Sequence, residues 1–469
     1  MKTNQFISQN ELDEQKRIAL ALSKEIEPRG LTFFVETFGC QMNVRDSETI
    51  KGWLCEIGYT EAEDKESADF ILFNTCCVRD HAEKRLMGNI GALKELKDAR
   101  PGTIIGVCGC MMQQEGVAKK LLKRFPHVSL VFGTNVLHRF PSMLQTVLNG
   151  ERIAVTDRAD DAIAEGLPKM RDNLRSAFVN IMYGCDNYCS YCIVPYVRGR
   201  ERSRRPEDVK REIVSLVSSG ISEITLLGQN VNSYGNDGST GMHFADLLRY
   251  VSDVPGLRRI RFMSSHPKDL NDDVIRAIAE IPNVCHHVHL PVQSGNNEIL
   301  KRMNRRYTRE HYLSIVQRLR EAVPDIEFTT DIIVGFPGET EEAFNDTMSL
   351  VKEVGFAAAF TFAYSPRQGT VAARMEDQIP EPVKKQRLSA LNTLQAEKTV
   401  ENNEKYIGHV GEVLVEGCDC RGEATMLYGK YPNFKMVYFP GDPILLNRYV
   451  TVKVTKTNKN SLLGEMIHA

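Results

Sequence analysis

Tyr183-Gly184-Cys185-Asp186-Asn187-Tyr188-Cys189-Ser190-Tyr191-Cys192 sets three cysteines in a C-x3-C-x2-C loop directly after the apolar run Ala177 to Tyr183. Thiolates this close in sequence can hold three corners of a metal site. A structural zinc site is closed by four ligands, yet after Cys192 no Cys or His follows before His243. Cysteine thiolates are the usual holders of iron-sulfur clusters, and a 4Fe-4S cubane on three thiolates leaves one iron open for chemistry. A partial zinc knuckle or merely buried thiols would be the plainer reading. The placement of the full motif after a strand, in a chain of alternating strands and helices, favours the cluster, because a motif carries weight only in its structural context.

Outward from the loop, the chain continues as Ile193-Val194-Pro195-Tyr196-Val197-Arg198-Gly199-Arg200-Glu201-Arg202-Ser203-Arg204. The loop resembles that of the radical S-adenosylmethionine enzymes, and the extended run resembles their methylthiotransferase branch. Further strand runs lie near residues 223–228, 258–264, 286–291, 327–334 and 357–364, with helical patterns between them. With 177–183 these make six βα units, which predict an open, partial barrel over residues 175–400, since the full form takes eight. Active groups of such barrels stand at the carboxyl ends of the strands. Those ends read Gly228-Gln229-Asn230, Ser264-Ser265-His266-Pro267, Leu290-Pro291-Val292-Gln293-Ser294-Gly295 and Val334-Gly335-Phe336-Pro337. Gln229, Asn230, Ser265, Gln293, Ser294 and Val334 are therefore the candidate cofactor contacts, amides, hydroxyls and backbone that suit a polar ligand in a dry pocket. Plain turns draw on the same residue types. His286, His287 and His289 read as ordinary strand packing.

Residues 31–150 alternate strands and helices again. Strand runs at Leu31–Thr37, Asp69–Asn74 and Thr103–Val107 are followed by Cys40, Cys76 and Cys110. In an open parallel sheet, ligands collect beyond the carboxyl ends of the strands, so three cysteines distant in sequence converge on one edge. Each alone could be a small buried hydrophobe; together they predict a second cluster. Cys76 is preferred to Cys77 because it comes first after its strand, and Cys110 to Cys108 because Gly109 frees the backbone beside it. Gly39-Cys40-Gln41-Met42-Asn43, Asn74-Thr75-Cys76 and Gly109-Cys110 resemble the auxiliary-cluster motifs of the methylthiotransferases. Cys77 departs from that pattern and leaves a ligand swap open.

Residues 1–30 read as a tail or a lone amphipathic helix, and 151–174 as a linker. Over 401–469, short runs at Gly411–Glu416, Lys435–Phe439, Tyr449–Thr455 and Leu462–Ile467, separated by Gly and Pro turns, predict a small antiparallel β-barrel of a size that often binds RNA. That segment resembles a TRAM domain, although Gly429 to Lys435 departs from the usual run. Cys418 and Cys420 read as non-ligands. The fold class is thus α/β multidomain: a small parallel α/β domain, a partial (β/α)6 barrel and a C-terminal antiparallel barrel.

The chain has 469 residues, 42% of them apolar or aromatic, and a formal charge of only -2, so any nucleic-acid contact must be local. Arg198, Arg200, Arg202, Arg204 and Arg205, directly after the cluster loop, are the candidate RNA contacts, since guanidinium groups pair with phosphates through two prongs. No apolar stretch reaches about eighteen residues and no export signal opens the chain, which predicts a cytoplasmic protein without a membrane anchor. Twelve cysteines then read as metal ligands or buried thiols rather than disulfides.

The resemblance implies two 4Fe-4S clusters and S-adenosylmethionine as cofactors, with Gln229 and Asn230 near the methionine end, Gln293 and Ser294 near the ribose and Ile333 to Pro337 near the adenine. It implies methylthiolation of C2 of N6-isopentenyladenosine at tRNA nucleotide 37. Two molecules of S-adenosylmethionine serve, one as methyl donor and one as source of a 5'-deoxyadenosyl radical, and the auxiliary cluster supplies sulfur. C2 has no acidic proton and no leaving group, so no protein acid or base is singled out. Expected partners are tRNA, an electron donor such as a flavodoxin or ferredoxin, and iron-sulfur assembly or repair proteins, around a monomeric enzyme. The rivals are a sister enzyme acting on threonylcarbamoyl-adenosine or a ribosomal-protein aspartate, and a non-catalytic RNA-binding protein with structural zinc.

Overall fold

The computed structural model describes residues 6–77, 80–157, 162–171, 175–419 and 425–468. In the first part of the chain, strands Thr32–Thr37, Phe70–Thr75, Ile104–Gly109 and Leu130–Phe132 pair in parallel, with Thr60–Glu61 and Ile153–Val155 at the two edges. Phe70–Thr75 and Ile104–Gly109 are buried at every position, as parallel strands covered by helices on both faces must be. One face packs Phe70, Leu72 and Phe132 with Trp53, Leu54 and Phe140; the other packs Ile71, Phe73 and Val107 with Leu86, Ile90 and Leu121. Ile153–Val155 lies in the stretch read as linker, where three residues are too short a run to register as a strand.

Thr32–Thr37 lies between Thr60–Glu61 and Phe70–Thr75 in the sheet. The chain therefore reverses its winding direction there, and such a switch point opens a crevice beyond the carboxyl ends of the strands. Cys40 follows one of the two strands that flank it and Cys76 the other. Residues 6–30 form no free tail. Helix Gln9–Ile26, opened by the Ser8 hydroxyl accepting from the Glu11 N–H, turns Leu12, Ala19, Leu22 and Ile26 inward, and the last three join the core around Phe140.

The second part is the open barrel expected from the six βα runs. Ser176–Asn180, Glu223–Leu227 and Arg259–Phe262 form one parallel sheet; His287–His289, Glu327–Val334 and Ala358–Ala363 form another. A bridge between Ile260 and Val284 joins the two. The last strand leaves Phe360 and Phe362 exposed.

The third part is a closed barrel in the order Val410–Asp419, Met426–Lys430, Met436–Pro440, Leu462–His468, Tyr449–Thr457. Met426–Lys430 has no counterpart among the sequence-predicted runs. The turn after it explains the atypical Gly429 to Lys435: it plugs the N-terminal end of the half-barrel. Arg259 donates to Lys430 O at 3.0 Å, Arg261 to Tyr431 O and Pro432 O at 3.0 and 2.7 Å, and the Phe434 ring stacks on His287 with centroids 4.6 Å apart. His287 and His289 share the Thr329 hydroxyl at 2.9 and 3.0 Å, so they are packing residues as expected.

A buried ionic clasp joins the first two parts. Glu212, on helix Pro206–Ser218, pairs with Arg45 of helix Gln41–Glu56, with Lys169 at 2.7 Å and with Arg204 at 2.9 Å. These cations hold the Glu212 carboxyl well below the usual range against its burial. Burial and the neighbouring Arg45 bring Lys169 down to about 7. With its amino end plugged, the half-barrel turns its carboxyl end to the first domain, where Gln229 touches Met42. No helix among the described residues is long and apolar enough to cross a membrane.

Candidate active site: a loop set and a strand-end set of cysteines

The first set is assembled at the switch point. Cys40 caps helix Gln41–Glu56, Cys76 follows Phe70–Thr75 and Cys110 follows Ile104–Gly109. Asn43, fully buried, ties the three loops together. Its Nδ2 donates to Phe38 O and Thr75 O, both at 2.9 Å, and its Oδ1 lies 3.8 Å from Cys40 Sγ and 3.7 Å from Cys110 Sγ. Gly109, at φ +104°, makes the turn into Cys110, and a Cβ there would collide with the Thr75 backbone. The Cys77 thiol donates to Cys110; this bond and the charge of Arg198 bring Cys110 down to about 6 in spite of burial. The same bond and burial push Cys77 well up. Cys108 lies in the apolar core with Phe132, its thiol raised by burial.

The second set sits on one loop. Gly184, at φ +77°, enters it, and a Cβ there would meet the Arg200 carbonyl. The Cys185 N–H donates to Gly199 O at 3.2 Å and the Cys192 N–H to Cys189 O at 2.9 Å. Residues 302–304 brace the loop: Ser190 donates through Oγ to Arg302 O at 2.8 Å and through N–H to Met303 O at 3.0 Å, and Asn304 Nδ2 donates to Tyr188 O at 3.0 Å. Burial pushes the Cys185 thiol up to about 12 and raises Cys192 further. A chamber of about 850 Å³ opens beside them, with Phe38, Cys77, Tyr191, Cys192, Gln293 and Phe362 in its lining; Cys192 is the member of the two sets that reaches it among the described residues. Among the described residues no three Cys, His, Asp or Glu side chains close on one point as a single-ion cage would.

Each of the three parts of the chain matches a known family model. Residues 32–133 match the uncharacterized protein family UPF0004, residues 179–351 the radical SAM superfamily and residues 404–467 the TRAM domain. The tRNA-2-methylthio-N(6)-dimethylallyladenosine synthase of Clostridium tetani is 52% identical over 437 residues, covering 93% of this chain and 96% of that one. The protein of the same name from Thermoanaerobacter pseudethanolicus is 48% identical over 469 residues, covering 100% and 99%. This chain belongs to the tRNA-2-methylthio-N(6)-dimethylallyladenosine synthase family. In fold it is also similar to the radical S-adenosylmethionine methyltransferase TsrM of Kitasatospora setae, with a TM-score of 0.52 and 15% identity over 73% of this chain and 74% of that one.

The polar groups of S-adenosylmethionine need partners in a buried site, and the strand ends offer them. Gln229 Oε1, Asn230 Oδ1, Asn232 Nδ2 and Oδ1, Ser265 Oγ and His266 Nε2 are buried without a partner among the described residues. Buried polar groups are rarely left so, and this row of donors and acceptors suits the amino, carboxylate and ribose groups of S-adenosylmethionine. Gln229 also touches Met42 of the first domain, and Asn230 donates to Asp269 at 2.7 Å. Gln293, at φ +68°, lines the chamber. Two sequence-predicted contacts turn away. Ser294 spends its hydroxyl on the wall, 3.4 Å from Thr347 Oγ1 and accepting from the Asn296 N–H. Val334 is in the core, because alternation along the strand puts Ile333 on the chamber side instead.

The arginine run divides in the same way. Arg198, Arg202 and Arg204 are buried. Arg202 donates to Arg198 O at 3.1 Å, and Arg204 is held by Glu165 at 2.6 Å as well as by Glu212. These three are committed to protein groups and corrected as phosphate contacts; Arg200 and Arg205 stay exposed. Arg305 is also buried and donates to Cys189 Sγ at 3.5 Å and Pro291 O at 2.6 Å. Sequence reasoning missed the tying role of Asn43; its only signal was the place of Asn43 in the quoted Cys40-Gln41-Met42-Asn43.

Proposed function

We propose that the protein is a radical S-adenosylmethionine tRNA methylthiotransferase that places a methylthio group on C2 of N6-isopentenyladenosine at nucleotide 37. The observation that carries the reading is the pair of separate thiol sets, one on the loop after Tyr183 and one at three strand ends, together with buried unsatisfied polar atoms at the strand ends of the half-barrel. In it, Cys185, Cys189 and Cys192 would hold one 4Fe-4S cluster, and Cys40, Cys76 and Cys110 the second. With S-adenosylmethionine, these groups supply the radical chemistry, sulfur and methyl that an unactivated aromatic C–H carbon demands, and the metal cofactors rather than an acid-base pair carry the difficult step. The name shared by the relatives favours this base over threonylcarbamoyl-adenosine or a ribosomal-protein aspartate.

The chain's own residues bind, orient and exclude water. Gln229, Asn230 and Ser265 hold the polar ends of S-adenosylmethionine, and Gln293 and Ile333 face it from the chamber wall. Tyr191, Phe38 and Phe362 line the space where a base splayed out of the anticodon loop would enter, as recognition of single-stranded RNA requires. His266 stays neutral because burial and the charge of Arg305 hold it well below the ordinary imidazole range. Arg200 and Arg205 are the members of the arginine run left to meet tRNA phosphates. An electron donor of the flavodoxin or ferredoxin kind, iron-sulfur assembly proteins, a monomeric state and a cytoplasmic setting complete the proposal.

Iron and sulfide per chain after anaerobic reconstitution test it. About eight irons are expected in the wild type and about four in Cys185→Ala/Cys189→Ala/Cys192→Ala, since each cubane holds four. A wild type that holds only about four, or a variant that holds none, overturns the second cluster.

A further inference from the structure

Arg198 belongs to one site by sequence and to the other by contact. It lies on helix Val194–Arg198, directly after the loop of Cys185, Cys189 and Cys192. Its guanidinium nevertheless reaches into the first set. Nε donates to Cys110 Sγ at 3.1 Å, and Nη2 donates to Asn43 Oδ1 at 3.1 Å and Asp46 Oδ2 at 2.7 Å. Both Arg198 and Asp46 are buried. A structural ion pair would need Asp46 alone. Here the cation also touches a thiol, and it shares Asn43 Oδ1 with Cys40 and Cys110.

We propose that Arg198 is a positioning residue that sets the reduction potential of the cluster on Cys40, Cys76 and Cys110, with Asp46 holding it in place and opposing its charge. The inference rests on the assignment of a cluster to those cysteines. Hydrogen bonds to the ligating sulfurs and net charge are among the features that set such potentials. An N–H donor to a thiolate draws electron density from the sulfur, and a buried cation favours the state that carries one more electron. Both effects of Arg198 raise the potential, and the Asp46 carboxylate lowers it. Because the donor comes from the second domain, this setting exists only while the two domains are docked. Arg305 stands to Cys189 in a similar relation at 3.5 Å, but it comes from the same domain.

The test uses Cys185→Ala/Cys189→Ala/Cys192→Ala, in which any iron retained belongs to the first set, titrated with a chemical reductant and redox dyes and read by electron paramagnetic resonance. If this parent holds no cluster, the assignment fails and the inference with it. If it holds about four irons, adding Arg198→Gln should lower the reduced-to-oxidised ratio at the parent's midpoint about tenfold or more, which is about 59 mV for one electron. Arg198→Lys, which keeps the charge, should fall between the two. Asp46→Asn, which still offers an oxygen to Arg198, should move the midpoint the opposite way. Where Arg198→Gln fails to load iron, the Lys and Asn variants decide. The proposal is overturned if the loaded Arg variants stay within about twofold of the parent, or if Arg and Asp variants shift in the same direction, as a mere opening of the site to water would produce.

Discussion

Cys185, Cys189 and Cys192 lie within eight residues of one loop, whereas Cys40, Cys76 and Cys110 come from three strand ends spread over seventy-one. The loop brings its thiols together by chain connectivity and is braced by residues 302–304. The strand-end set has no such connectivity. It depends on a parallel sheet holding its register, on Asn43 tying three turns, and on Arg198 arriving from another domain. Their electrostatics diverge as well: burial dominates at Cys185, while a thiol neighbour and a guanidinium outweigh it at Cys110. One site is therefore sensitive mainly to its own sequence, and the other to the docking of the whole molecule.

The largest effect should come from the adjacent pair at the strand-end site. Cys76→Ala should cost about four irons, and Cys77→Ala should cost none, because a cubane is lost or kept as a unit. Reversed results would make Cys77 the ligand. Equal losses would show that the set is tied together by both thiols and blur its contrast with the loop.

Next in size is the clasp. Glu212→Ala leaves Arg45 and Lys169 buried without their shared carboxylate, and breaking such a pair costs about 3–5 kcal/mol. The midpoint of thermal unfolding should fall, and a chelator should strip iron from the strand-end set before the loop set. Iron lost from both sets at one rate would remove the distinction between a docked site and a local one.

How much of this was legible in the sequence follows the same division. Alternating strand and helix patterns led to both α/β parts, and a cysteine next to a strand end needs only local sequence to be noticed. The fate of the arginines was not legible. Arg198 and Arg204 look like a phosphate-binding face until Asp46, Glu165 and Glu212 are brought to them by folding. Ser294 and Val334 turn their side chains from the chamber for a smaller reason, since a strand end read as a block hides which of two neighbours faces it. Ile153–Val155 and Met426–Lys430 are short, and such runs carry little periodic signal.

The clasp also predicts a pH dependence. The folded value of Lys169, about 7, lies below the ordinary lysine value of about 10.4. Between these values the unfolded chain binds more protons than the folded one, so stability rises with pH across that window, by at most about 1.4 kcal/mol per pH unit, and the burial cost is fully present below about 7. Thermal unfolding followed from pH 7 to 9 should show the rise, and Lys169→Met should flatten it. An unchanged profile in Lys169→Met would mean that the clasp stays charged throughout and that Glu212 sets its strength alone.

The smallest effect is expected at the far end of the half-barrel, where the third domain is plugged in. Phe434 stacks on His287 and holds the left-handed φ of +73°. Phe434→Ala should cost about 0.5–1.5 kcal/mol for the aromatic pair beyond its buried area. Phe434→Gly loses the same ring but suits the backbone, so it should be milder than Phe434→Ala by up to about 1 kcal/mol. Neither change should alter iron content, because the plug meets the amino ends of the barrel strands and both cysteine sets lie beyond the carboxyl ends. Loss of iron from the strand-end set in Phe434→Ala would show that docking strain crosses the whole barrel, and that the loop set is the only one of the two that stands on local structure.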